Sequence, residues 1–299
     1  MRWDDLRTSE NVEDRRGDGG GFGGGGGTGF GLGGGRLGIG AVIVLSLAGW
    51  ALGIDPRILI GGAEMVSNRA PTQQSRPAST SPPADDAGRF VAKILGETED
   101  VWSQVLPQQA NRDYIKPRLV LFSGATQSAC GSAQSAMGPF YCPVDQKVYL
   151  DTSFFQDMQR RFGGGGDFAY AYVIAHEVGH HVENLLGILP KVQQAQRRAS
   201  DRGEANNLSV RVELMADCLA GVWANKMNQR RSNIDENDVR QAVAAATAIG
   251  DDRLQRQSQG YVVPDSFTHG SSEQRVRWLT TGLKNGDVRT CNTFQTQRL

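Results

Sequence analysis

His176-Glu177-Val178-Gly179-His180 sets two imidazoles four residues apart with a carboxylate beside the first. The motif follows the apolar run 168–175, which reads as a buried helix. Residues four apart in a helix share a face, so both imidazoles can reach one Zn²⁺. Glu177 lies about 100° further round the turn, where its carboxylate can meet a water on the metal without ligating the ion. This is the layout of a zinc hydrolase. The ion brings the pKa of water to about 7, and Glu177, as general base, takes the proton while the water attacks a polarised carbonyl.

A catalytic zinc needs a third protein ligand and an open fourth position. The extended pattern H-E-x-x-H-x-x-G-x-x-H fails, because its Gly position is Glu183 and its last His position is Leu186. A later helix offers the alternative. Residues 208–224 are apolar at helical spacing and follow Asn206 and Asn207, which can cap a helix. They carry Glu213 and Asp217, four apart and therefore on one face. Burying two unpaired carboxylates costs several kcal/mol, on the order of 2–7 for even a neutral polar group. Glu213 as a zinc ligand and Asp217 as acceptor for the far N–H of a zinc-bound His would give both a use.

These blocks resemble a known family. Gly138-Pro139-Phe140-Tyr141-Cys142-Pro143, Val148-Tyr149-Leu150-Asp151, the segment 175–181, the segment 212–221 and His269-Gly270-Ser271-Ser272-Glu273-Gln274-Arg275 look like the YpfJ-type neutral zinc metallopeptidases, single-pass bacterial membrane proteins. The likeness covers most of the chain from about Arg89 onward, with the glycine-rich head and the hydrophobic anchor. The zinc-site blocks are also similar to the integral-membrane proteases of the HtpX and CaaX-prenyl type. The resemblance implies that His176, His180 and Glu213 ligate zinc, that Glu177 is the base and that Asp217 orients a ligand. His269 and Arg275 match a late His and Arg of that pattern, although Gly270 stands where a Pro usually follows the His. The implied fold is a zincin-like metallopeptidase domain.

The remaining elements must hold these residues in place. His269 sits where a loop enters a helix that Thr268 or Ser271 can cap, with Val276, Leu279 and Leu283 as its apolar stripe. A His there suits an oxyanion donor, or is a surface residue without a role. Arg275 either serves the site or is solvated or salt-bridged. His181 points away from the face of His176 and His180. Residues 147–151 alternate as a strand, either a sheet edge that receives substrate or an ordinary sheet member. A helix begins near Asp85, with Phe90, Val91, Ile94, Leu95, Val101, Trp102 and Val105 on one side, and another covers about 235–257. Gly163-Gly164-Gly165-Gly166 makes a turn before the active helix. The expected domain, residues 86–299, is helix-dominated α+β with short strands around 118–151.

The rest of the chain speaks to location. Residues 1–37 hold a glycine-rich tract and are expected to form a disordered cytoplasmic tail. Residues 38–54 carry no charge and extend about 25 Å as a helix, adequate for a single transmembrane span within an anchor at 38–60. Arg36 and Arg57 flank that stretch and hardly bias its orientation. Residues 61–85 read as a Ser/Pro/Thr-rich linker. Four cysteines, Cys130, Cys142, Cys218 and Cys291, allow three pairings. A local Cys130–Cys142 bridge would leave Cys218 with Cys291. Disulfides would place the domain on the extracytoplasmic side of a bacterial inner membrane. With 32 basic and 32 acidic residues and no basic stripe, nothing points to nucleic acid. The expected function is a membrane-tethered zinc endopeptidase acting on protein or peptide substrates. The competing expectation is a non-catalytic envelope protein that keeps zinc as a structural or partner-binding element.

Overall fold

The computed structural model describes residues 1–19, 83–162 and 165–299. The expected anchor at 38–60, and the linker apart from residues 83–85, lie outside the described residues. Among the described residues no helix is long and apolar enough to cross a membrane.

The architecture is helix-dominated α+β. Strands β1 (Val12–Asp14), β2 (Arg118–Phe122), β5 (Phe140–Cys142) and β6 (Lys147–Asp151) form one sheet in the order β1-β2-β6-β5. β1, β2 and β6 run parallel, and β5 is antiparallel to β6. A hairpin of β3 (Ala125–Ser128) and β4 (Gly131–Gln134) stands apart. All of β2 beyond Arg118 is buried on both faces. Leu119 and Leu121 enter the main core, while Val120 and Phe122 pack with Ala133 of the hairpin, Cys142 and Tyr149. That double burial explains the unbroken apolar run of β2.

Helix α1 (Asp86–Ala110) starts at Asp85, whose side chain accepts from the backbone N–H of Gly88, and its predicted apolar side is buried. After β6 come α2 (Ser153–Phe162), α3 (Asp167–Leu185), α4 (Ile188–Gln196), α5 (Arg202–Arg231), α6 (Glu236–Ala248), α7 (Asp251–Gln259) and α8 (Ser272–Asn285). The HExxH motif lies in α3, and Glu213 and Asp217 in α5. α3 buries most of its length and α5 is buried without a break from Leu214 to Ala224, because other helices pack around them there.

Three expectations are corrected, and the open choice for residues 147–151 is resolved as an ordinary sheet member. The helix of Glu213 begins at Asp201, which accepts from the N–H of Glu204, and not at Asn206–Asn207. The single helix expected over 235–257 is two, broken at Ile249–Gly250 where the backbone of Ser272 packs too closely for a side chain at Gly250. β6 is interior, between β2 and β5, so residues 147–151 are not a free edge. Residues 1–19 belong to the folded unit and not to a disordered tail. Their β1 is hydrogen-bonded beside β2, so the domain begins before residue 86.

Both disulfides take the pairing considered from sequence, Cys130–Cys142 and Cys218–Cys291. The second ties the C-terminal tail to α5 next to Asp217.

Candidate metal centre

Close helix approach builds the centre. Gly179, between the two motif histidines, faces α5, where a Cβ would lie 3.0 Å from the carbonyl oxygen of Ala216. The missing side chain lets α3 and α5 come together with Glu213 opposite His176 and His180. On the other flank of α5, a Cβ at Gly282 would overlap the carbonyl oxygen of Cys218, so α8 also packs backbone to backbone. That contact carries Arg275 to Asp217.

His176 Nε2 lies 3.2 Å from Glu213 Oε2, and His180 Nε2 lies 3.6 Å from Glu213 Oε1. Donor atoms of all three residues fall within 4.8 Å of one another. Ligands about 2.1 Å from a tetrahedral zinc stand roughly 3.4 Å apart, so these spacings fit that ion. The protonation chemistry fits as well. Each imidazole has a carboxylate behind Nδ1, Asp217 at 2.9 Å for His176 and Glu183 at 2.8 Å for His180. A proton on Nδ1 leaves Nε2 as the free lone pair on the Glu213 side. Burial opposes charge on Glu213, but the neighbouring imidazoles outweigh it and hold its carboxyl well below the usual range. The same pairing works in the other direction: burial opposes charge on both imidazoles, but Asp217 and Glu213 raise His176 to about 10, and Glu213 and Glu183 raise His180, so a bound cation would take the place of protons on Nε2.

Asp217 is the hub of the second layer. Its fully buried carboxylate accepts from Tyr172 Oη at 2.6 Å and from Arg275 Nε and Nη2, each at 2.9 Å. Arg275 is 3% exposed, neither solvated nor in contact with the donors' open side. Of the alternatives the sequence left open it takes the salt-bridged one, with Asp217, and its Nη2 also lies 3.5 Å from His176 Nδ1, so it helps to position that imidazole. Glu183 went unrecognised in the sequence. It is fully buried, and its second oxygen Oε1 has no hydrogen-bond partner. Its position three residues after His180, on the same helical face, was the available signal.

Glu177 is buried, and burial raises its carboxyl above the usual range. Among the described residues it makes no hydrogen bond or ion pair, so the carboxylate is uncommitted. His269 precedes α8 as expected, with Ser271 rather than Thr268 as the cap in a reciprocal box with Gln274. Its side chain is 52% exposed, and Nδ1 lies 3.1 Å from Asp251. Asp251 also accepts the backbone N–H groups of Thr268, His269 and Gly270, which fixes the loop. Burial opposes charge on His269, but the hydrogen bond to Asp251, with the nearby Glu213 carboxylate, outweighs it and raises the imidazole above its usual range. His181 faces away, bonded to Tyr141 Oη at 2.9 Å and to the carbonyl of Ile115 at 2.6 Å.

The chain is similar to proteins that it matches along most of their length. A relative from Escherichia coli (strain K12), "Uncharacterized protein YpfJ", is 50% identical over 294 residues, 98% of this chain and 99% of the relative. "Uncharacterized protein Mb2605" of Mycobacterium bovis is 45% identical over 223 residues, 70% of this chain and 72% of the relative. No solved structure matches. The profile of the family described as "Putative neutral zinc metallopeptidase" matches residues 1–294. With the His-His-Glu donor set in place, the chain belongs to that neutral zinc metallopeptidase family.

Proposed function

We infer that this protein is a membrane-anchored, zinc-dependent endopeptidase that hydrolyses peptide bonds in protein or peptide substrates. The observation that supports it is the convergence of His176, His180 and Glu213 at tetrahedral spacing, with the Glu177 carboxylate uncommitted beside them. Zinc held by those three residues would supply Lewis acidity toward a carbonyl oxygen and lower the pKa of water. Glu177 takes the proton of the attacking water and passes it to the leaving amine. His269, oriented through Nδ1 by Asp251, offers Nε2 to the developing oxyanion. Asp217 and Glu183 hold the two imidazoles with Nε2 inward, and Arg275 holds Asp217. Residues 38–54 attach the protein to the inner membrane, and two disulfides suit the oxidising, extracytoplasmic side.

The test uses purified full-length protein, wild type beside Glu177→Gln, with bound zinc and cleavage of unfolded casein both measured. The expected result is one zinc per chain in both and cleavage by wild type alone. Equal inertness with zinc retained would favour the non-catalytic zinc-binding envelope protein.

A further inference from the structure

Residues 1–16 are bonded to the metal-binding domain along their whole length. Ser9 Oγ, Asn11 Nδ2 and Arg7 Nη2 donate to Glu99 of α1 at 2.5, 2.7 and 2.6 Å. Glu99 has no exposed surface, and its next partner, Lys116 Nζ, is 3.6 Å away. Leu6 is buried in the core, and Trp3 packs edge-on against Phe90 while its indole donates to Asp167 in the first turn of α3. Glu13 of β1 binds Lys147 of β6 and Arg118 of β2. The receiving surface is shaped for this segment. At Gly96 of α1 a Cβ would overlap the carbonyl oxygen of Arg7. β1 also covers the flank of β2, which would otherwise be an open apolar edge.

We propose that residues 1–14 and the metal-binding domain lie on the same side of the membrane, so that residues 38–54 do not carry the chain across it once. This rests on the reading above that residues 38–54 are the membrane anchor. A single crossing would put residues 1–19 and 83–299 in different compartments. Glu99 would then be buried without its three nearest donors, and the β2 edge would lie bare. The uncharged stretch, about 25 Å as a helix, is also too short to cross twice. The N-terminal segment is the first strand of the metallopeptidase sheet and not a tail in another compartment.

The experiment adds one cysteine to the full chain, at Asp5 or at Glu236, both exposed, where the described native cysteines are all paired. Spheroplasts are treated with a membrane-impermeant maleimide before and after lysis. The expected result is that the two positions label alike. Labelling of one only before lysis and the other only after it overturns the proposal. Protection of both until lysis keeps the proposal but contradicts the extracytoplasmic assignment above, so the two readings fail separately. A second measurement is the heat-aggregation temperature of Gly96→Ala in native membranes. A free α1 would be stabilised by Ala in its interior, whereas a docked segment predicts a fall of several degrees. A rise overturns the proposal.

Discussion

Arg275 grips both oxygens of Asp217 at 2.9 Å, and Asp217 in turn holds Nδ1 of His176 at 2.9 Å. Three residues from three helices thus form one line from α8 through α5 to the metal-binding face of α3. Each member is buried, so each depends on the others for its charge.

Arg275→Met should destabilise the protein by about 3–5 kcal/mol, because it strands the buried Asp217 carboxylate. The double variant Arg275→Met/Asp217→Asn should recover part of that loss, since it removes both charges. Chemical denaturation of the four-member cycle measures the coupling. Simple additivity would contradict the account.

Glu183→Gln should weaken zinc binding about 10–100-fold, the usual cost of losing a carboxylate behind a ligating imidazole. The amide can donate to His180 Nδ1 and so favour the tautomer whose Nε2 carries the proton. Competition with a chelator of known affinity reads the change. Unaltered affinity would mean that His180 does not need this partner.

How much of this was legible beforehand depended on periodicity. His176, His180, Glu213 and Asp217 could be placed because a helix repeat converts spacing into a shared face. The start of α5 was misread because its first turns, Arg202 to Asn207, are polar and show no apolar stripe. Asp201 ahead of Glu204 was the better signal. β1 was missed because a three-residue strand in a charged stretch has no period, and its partner Leu119 is remote in sequence. Arg275 could not be told from a solvated or salt-bridged arginine because only the closeness of α8 to α5 buries it, and no local pattern encodes that approach.

The docking of β1 should be acid-sensitive. Burial pushes the Glu13 carboxyl up, but hydrogen bonds from Lys147, Arg15 and Arg118 outweigh burial and hold it at about 2, below its ordinary 4.5. A carboxyl with a lower pKa folded than unfolded stabilises fully above the unfolded value, and that contribution disappears as pH falls from about 4.5 toward 2. Melting temperature measured against pH should fall through this window. Glu13→Gln should start lower at neutral pH and fall less steeply; an unchanged slope would contradict the linkage.

Cys291→Ser should loosen the C-terminal tail from α5. The bridge to Cys218 closes a loop spanning 73 positions, worth about 4 kcal/mol on the chain-entropy account. Guanidinium denaturation should show a loss of that order, with zinc affinity changed less than by Glu183→Gln. A stability equal to wild type would mean that the bridge adds nothing to the fold.

The decisive quantity is zinc content per chain after dialysis against a moderate chelator, compared between wild type, Glu213→Ala, His269→Ala and Glu177→Gln. One equivalent should remain in wild type, His269→Ala and Glu177→Gln, and most should be lost from Glu213→Ala. Retention by Glu213→Ala, or loss from His269→Ala, would contradict the assignment of His176, His180 and Glu213 as the three ligands.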